Sequence, residues 1–331
     1  MLAAVITRSG GPEVIEIREV PRPTPGPGEI LVRVHASALN RADLLQREGR
    51  YPAPSGWPAD IPGLEFAGSV EACGNRAWMW QPGQRVIGLV GGGAHAEFLA
   101  IHERAVAEIP QPLDWSEAAA IPEAFITAHD ALFVQAGLRP AERLFVPAVG
   151  SGVGLAAVQL ARAAGAECWG TSRTQWKVER AMELGLSGGA AIRDPVVELP
   201  SWVEQWTNRK GFDVALDLAG GPYVRAAIEA LCHKGRLILV GTVAGGRAEI
   251  PIGTVMGKRL TLRGTVMRAR PLEERIGAVR SFSAEALPFF ARRQLRAVVD
   301  SEFALADIAA AHQRLASNAT FGKVVLRIPA G

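Results

Sequence analysis

Cysteine and tyrosine are scarce in this chain of 331 residues: there are three cysteines, Cys73, Cys168 and Cys232, and two tyrosines, Tyr51 and Tyr223. An odd number of widely separated cysteines without a CxxC pair excludes a disulfide framework and a metal knuckle, and fits reduced thiols in a cytoplasmic enzyme. Charge of one sign is scarce too. The net charge is +3, and the 36 Lys and Arg are scattered, neither gathered into a run nor interleaved with aromatics, so no nucleic-acid role is expected. No stretch holds eighteen consecutive apolar residues and no basic segment precedes an apolar core at the N-terminus, so the expectation is a cytoplasmic protein without a membrane role. With 48% apolar and 21% charged residues the chain reads as ordinary globular protein, and its length exceeds what one hydrophobic core usually holds. Two domains are expected.

What is present is organised around residues 144–154, LFVPAVGSGVG, where a short apolar run meets a cluster of small residues that opens into LAAVQLARAAG at 155–165. This reads as strand, tight turn and helix. Ser151, Gly152 and Gly154 keep bulk out of the turn, so that backbone N–H groups at the helix start can approach a pyrophosphate. The spacing departs from G-x-G-x-x-G: Ala148 or Val149 occupies the first glycine's place, Ser151 the second's and Gly154 the third's. Further strands are expected at 166–171, 212–217 and 236–241, alternating with helices from Gln175 to Leu184 and from Tyr223 to about Cys232. That alternation predicts a doubly wound parallel sheet, a Rossmann domain, with its ligand at the strand C-termini.

Residues 1 to about 120 have another texture. Short strands at 2–6, 15–20, 30–35, 66–72, 85–89 and 96–101 are punctuated by prolines and glycines, which reads as a small barrel-like β domain. A short helix is expected from Ser37 to Glu48 and a proline-rich loop from Pro52 to Pro62. Asp114 to Glu117 has the spacing of a capping box, opening a helix to Ala120, and a longer helix is expected from Phe125 to Ala136. After Gly241 come a strand at 260–264, a helix from Leu272 to Arg292, and two strands at 297–301 and 323–328 expected to return to the β domain.

Five segments then carry a resemblance: ALNRAD at 38–43, GLEFAG at 63–68, PGQRV at 82–86, AAAIP at 118–122 and SGVG at 151–154. Together they resemble the quinone oxidoreductase, or zeta-crystallin-like, branch of the medium-chain dehydrogenase/reductase superfamily. NRADLLQREGRY at 40–51 and IPEA at 121–124 are similar to the stress-inducible members of that branch. The resemblance implies an α/β architecture with a GroES-like β-barrel catalytic domain (residues 1–122, completed by 266–331) and a Rossmann doubly wound parallel-sheet cofactor domain (123–265). It implies NADPH as cofactor and a homodimer through the cofactor domain.

Zinc alcohol dehydrogenases belong to the same superfamily, but at the positions matching their Cys, His and Cys ligands this chain has Asn40, Leu64 and Glu123. Zinc needs three protein ligands, and one plausible ligand cannot hold it, so no metal is expected. His95 and Glu97 lie two apart with no third ligand near them in sequence.

For the cofactor, the end of the second Rossmann strand decides. An NAD enzyme places an acid there for the ribose 2′-hydroxyl. Here Thr171, Ser172, Arg173 and Lys177 stand instead, and Glu167 lies at the strand's start. Arg173 and Lys177 either decorate an exposed helix start or bind a 2′-phosphate; their location favours NADPH. The turn residues Ser151, Gly152, Val153 and Gly154, with Gly241, complete this cofactor set. The family often has a tyrosine where Ile192 stands, and Arg193 beside it is a source of charge. By resemblance Gly264, Thr265 and Val266, and Gly322 and Lys323, line the nicotinamide side.

For chemistry the resemblance implies hydride transfer to a small quinone or enone, without a covalent intermediate or a dedicated catalytic base. Asn40 either faces the nicotinamide, its amide bonding the substrate or the ribose, or is simply a helix-start asparagine. Tyr51 either closes over the nicotinamide or anchors an exposed loop. Thr127 either offers a hydroxyl near the nicotinamide or is packed in a helix, and Asp43 reads as structural. Three functions remain open: an NADPH-dependent quinone reductase, a reductase of enones or enoyl thioesters, and a non-catalytic NADPH-binding protein.

Overall fold

The structure is a computed structural model that describes residues 1–329, and it divides into two compact units, one of residues 1–126 together with 267 onward and one of Thr127–Val266. The chain therefore leaves the first unit after Ile126 and re-enters it at Met267.

In the first unit the long strand β3 (Glu29–Ala38) is central, after a two-stranded pair, β1 (Leu2–Ile6) with β2 (Ile15–Glu19). Alternation along EILVRVHASA buries Ile30, Val32 and Val34 on one side and gives β3 partners on both edges. It pairs antiparallel with β4 (Glu65–Cys73) and with β6 (Phe98–His102), while β4 continues to β5 (Arg85–Leu89) and β7 (Val106–Glu108). The C-terminal strands do return to this sheet. β15 (Lys323–Arg327) runs antiparallel to β3, and β14 (Val299–Ala304) lies parallel to β15 across the helix Ile308–Ala316. One core unites both segments: Phe66, Val70 and Val86 from the first pack with Ile308, Leu315, Val324 and Leu326 from the second.

The second unit is a wholly parallel sheet built from β8 (Arg143–Val146), β9 (Glu167–Ser172), β10 (Gly188–Ala191), β11 (Phe212–Asp217), β12 (Leu231–Leu239) and β13 (Thr261–Gly264). Its spatial order is β10-β9-β8-β11-β12-β13, so the strand order reverses between β8 and β11. That is the Rossmann order with its topological switch point after β8, the strand that feeds the small-residue turn. Phe145 and Phe212 stack at 5.3 Å between ring centroids beneath the sheet's helices, with Trp169, Leu199 and Leu237 in the same core.

Several elements differ from the sequence expectation. Ser37 and Ala38 belong to β3, not to a helix, because they pair with β4 and β15; the helix is Arg41–Arg47. The expected helix 272–292 is two, Leu272–Glu285 and Leu287–Ala291, divided where Pro288 cannot continue the hydrogen-bond ladder. The helix beginning near Tyr223 ends at Ala230, and β12 starts at Leu231, earlier than expected. The helix expected from Phe125 is helical from Pro122 to Gln135, with π-helical turns over Pro122–Ile126 and Asp130–Gln135. The Asp114 capping box forms as expected, Glu117 N donating to Asp114 Oδ1 at 2.8 Å ahead of the helix Trp115–Ala119.

Candidate active site

In the second unit the turn after β8 is closed by one serine. Ser151 caps the helix Gly152–Ala163; its hydroxyl donates to Ala148 O at 2.8 Å and accepts from Gly154 N at 3.1 Å. The N–H groups of Gly152 and Val153 remain at the helix start with no intrahelical acceptor, a ready donor pair for an anion. Gly154 allows the helix to lie against the turn, since a Cβ there would stand 2.7 Å from Ala148 O and 2.9 Å from the Cα of Val149. Ala148, one of the two residues that could stand at the fingerprint's first glycine, holds a left-handed conformation with φ 55°.

At the end of β9, Thr171 and Ser172 are buried, Arg173 is exposed, and Lys177 lies against the turn itself, its Cδ 2.7 Å from where a Cβ on Gly150 would stand. Arg173 makes no hydrogen bond or ion pair among the described residues. Glu167 is the first residue of β9 and Arg173 follows its last, so the acid and the base sit at opposite ends of the strand. Ile192 is buried, its N–H donating to Ser172 O, and Arg193 is exposed. Two buried hydroxyls, Thr127 Oγ1 and Thr171 Oγ1, have no hydrogen-bond partner among the described residues. With a turn that side chains would fill, an uncommitted arginine and two orphaned hydroxyls, the residues present fit a phosphorylated dinucleotide. Gly241 follows β12 closely packed, a Cβ there meeting Leu218 O at 2.3 Å, whereas Gly264 ends β13 in open space and Val266 is exposed. Thr265 donates its N–H to Leu239 O at 3.0 Å.

In the first unit a buried polar cluster forms around Asn40. Its backbone N–H donates to Asp43 Oδ2 at 2.7 Å, and Asp43 Oδ1 accepts from Gly63 N at 2.9 Å, so the fully buried Asp43 is structural, as expected. The Asn40 amide is already engaged. Nδ2 donates to Ala38 O at 3.2 Å and Glu65 Oε1 at 3.0 Å, and Oδ1 accepts from Lys323 Nζ. With both donor hydrogens used, Asn40 has only an acceptor lone pair to offer a ligand. Lys323 is likewise committed: its ammonium pairs with Glu65 at 2.6 Å and also donates to Leu39 O at 2.9 Å. It faces the cluster and has no donor left for a phosphate. Gly322 precedes it with φ 98°, and a Cβ there would stand 2.2 Å from Val298 O.

Glu65 accepts a third hydrogen bond, from Glu123 N, at 2.7 Å. Tyr51 is half-buried, and the guanidinium of Arg268 lies 4.9 Å from its ring centroid while donating to Tyr51 O at 3.1 Å, to Gly91 O at 2.8 Å and to Gln46. Burial pushes the Tyr51 phenol above its ordinary value, and the Glu123 carboxyl adds to that shift. Glu123 is itself pushed up to about 8, by burial first and by the charge of Glu65 second. The sequence reading missed Glu65, Arg268 and Glu123 as site residues; the available signal was an acid inside an otherwise apolar strand, GLEFAG, which must find a counterion when buried.

Zinc does not fit this site. Leu64 is buried and aliphatic, the Asn40 amide is tied to Glu65 and Lys323, and no three His, Cys, Asp or Glu come together as a metal set among the described residues. His95 is buried with Nδ1 against Ser37 Oγ at 2.9 Å, and Glu97 instead receives Leu2 N at 2.8 Å.

Residues 26–111 match the alcohol dehydrogenase GroES-like domain and residues 152–284 the zinc-binding dehydrogenase family. The chain is 30% identical over 333 residues to the Quinone oxidoreductase of Homo sapiens, covering 98% of this chain and 97% of that protein. Among solved structures it is similar to mycobacterial Rv1454c complexed with NADPH, with a TM-score of 0.88 at 26% identity, covering 99% of this chain and 100% of that one. It is also similar to the CurK enoyl reductase, with a TM-score of 0.85 at 26% identity and 99% of each chain covered.

Proposed function

The chain belongs to the quinone oxidoreductase family of medium-chain dehydrogenases/reductases, and from that footing we propose that this oxidoreductase uses NADPH to reduce a small quinone by direct hydride transfer without zinc. The observation that carries the reading is identity to a quinone oxidoreductase along nearly the whole chain, joined to a cluster in which asparagine, leucine and glutamate replace a metal set. NADPH, when bound, supplies the hydride. Ser151, Gly152, Val153 and Gly154 would hold its pyrophosphate, Ser172, Arg173 and Lys177 the 2′-phosphate, and Thr127 and Thr171 would use their orphaned hydroxyls on it. Quinones accept hydride readily, so the chain's own work is to hold two flat rings in contact and to bond the developing oxyanion. Asn40 orients a hydroxyl as acceptor; donation to the oxyanion falls to other groups, with Tyr51 held by Arg268 among them.

A second reading, reduction of an enone or enoyl thioester, is favoured by the likeness to an enoyl reductase. No helix of the described residues is long and apolar enough to cross a membrane, and cytoplasmic location is part of the proposal. So is a homodimer through the cofactor unit: β13 is an edge strand, and Val243, Ile250, Ile252, Met256 and Val266 of the same unit are exposed.

Two measurements test the reading. A panel of quinones, enones and enoyl thioesters with NADPH identifies the acceptor; turnover of enoyl thioesters well above every quinone would replace the first reading with the second. Binding of NADPH and NADH to wild type and Arg173→Ala tests the cofactor. One charge-assisted hydrogen bond of about 1.5 to 3 kcal/mol, reduced by exposure, gives a loss of roughly tenfold for NADPH and little change for NADH. Equal affinities in the wild type would make Arg173 surface decoration.

A further inference from the structure

Three carboxyl groups, Asp43, Glu65 and Glu123, and one ammonium, Lys323, share the polar cluster of the first unit, and the hydrogen bonds divide them unequally. Glu65 is the anion: Lys323 Nζ, Asn40 Nδ2 and Glu123 N all point to it, and it is completely buried. Glu123 gives its backbone N–H to Glu65, yet its own carboxyl accepts no hydrogen bond among the described residues, and the residue is half-buried. The remaining charges around it are Asp43, committed to two backbone N–H groups, and Arg268, committed to Gly91 O, Tyr51 O and Gln46. One ammonium already closed on Glu65 cannot also neutralise Glu123, so of two neighbouring carboxyls the one without donors is the one that keeps its proton.

We propose that Glu123 is the proton donor to the oxygen that becomes negative when the acceptor takes up hydride, an inference that rests on the reductase reading above. Burial and Glu65 hold its carboxyl at about 8, so it is protonated at neutral pH. The other candidate, the Tyr51 phenol, is raised above an already alkaline value, and so holds its proton more tightly than Glu123 and serves as a hydrogen-bond donor. The step balances. Hydride with its electron pair adds to the quinone and gives a hydroquinone monoanion; the O–H bond of Glu123 breaks as an O–H bond forms on that anion. The products are the hydroquinone and the Glu123 carboxylate, which regains its proton from water. With an enone, the same proton goes to the enolate.

The test compares wild type, Glu123→Gln and Glu123→Asp with a benzoquinone and with an enone, each followed through kcat and KM from about pH 6 to pH 9. The wild-type kcat should fall as pH rises through about 8, while Glu123→Gln, which keeps shape but carries no acidic proton, should lose roughly tenfold in kcat at neutral pH with KM little changed, and lose that alkaline limb. Glu123→Asp should restore part of the rate, and the loss in Glu123→Gln should be larger for the enone than for the quinone. Independently of turnover, infrared titration of the ligand-free protein should show a protonated carboxyl that ionises near pH 8 and is missing in Glu123→Gln. Rates in Glu123→Gln within about twofold of wild type at every pH, or a Glu123 carboxyl that ionises in the ordinary glutamate range, would overturn the inference while leaving the reductase reading intact. A wild type that oxidises NADPH with no quinone or enone overturns the reading, and the proton donor with it.

Discussion

Ala148 shows how a single residue can carry a fingerprint imperfectly. It stands in the turn, at one of the two positions that could answer to the fingerprint's first glycine, and it adopts φ 55°, a conformation that costs a residue with a Cβ about 1 kcal/mol or more. Ala148→Gly is therefore expected to raise thermal stability by about 0.5 to 1 kcal/mol at the midpoint, net of the added unfolded-state entropy, with dinucleotide affinity kept or improved. Differential scanning calorimetry and a binding titration check it, and a destabilised variant would mean the left-handed turn is not strained. Gly154 is the reverse case: its missing Cβ is what lets Ser151 cap the helix against Ala148 O. Both positions were legible in the sequence as small residues in a turn. The commitment of the Asn40 amide was not, because Glu65 and Lys323 reach it from positions 25 and 283 residues away, and no local spacing encodes that. Distance in sequence also hides Glu123, whose carboxyl keeps its proton through burial first and through Glu65, 58 residues away, second.

At the level of elements, legibility followed the strength of local pattern. Strands with clean alternation, such as β3, and the glycine turn with its helix stood out, as did the capping box at Asp114. Elements whose extent is decided by partners did not: β3 continues through Ser37 and Ala38 because β4 and β15 are there to pair with them. The helix Ile252–Lys258 was missed because it is seven residues long, carries two glycines, Gly253 and Gly257, and packs only Val255 against the core. Ile252 and Met256 are exposed on one face at i and i+4, and this helix leads directly into β13, the unpaired edge of the parallel sheet. If two copies join by their β13 edges, Ile252→Asp with Met256→Asp should convert a dimer to a monomer in sedimentation velocity while the circular dichroism of the fold is retained. A wild type that sediments as a monomer, or a dimer unaffected by the pair, would place the interface elsewhere or remove it.

For the molecule as a whole, the buried titratable groups couple stability to pH in two opposite directions. His95 and His312 are both held down to about 3, chiefly by burial, and stay neutral in the folded chain. An unfolded histidine accepts a proton below its ordinary value of 6.5, so each contributes stability that is present above pH 6.5 and is lost as pH falls toward 3. Glu123 has the opposite sign. Its folded value of about 8 lies above the ordinary 4.5, so the folded chain keeps a proton that the unfolded chain releases, and stability declines as pH rises from 4.5 to about 8. Asp43, Glu65 and Asp217, raised by burial, act in the same direction as Glu123. Difference measurements separate the contributions. Against wild type, Glu123→Gln should gain stability progressively between about pH 5 and pH 8 and no more beyond, reaching about 1 to 3 kcal/mol once partial exposure is allowed for. His312→Gln should remove close to one proton from the uptake on denaturant unfolding near pH 5 and change nothing above about pH 7.5. Urea unfolding at three pH values reads both. A Glu123→Gln gain that is flat with pH would mean that the wild-type carboxyl is already ionised in the folded protein, and the chemistry assigned to its proton would fail on stability data alone.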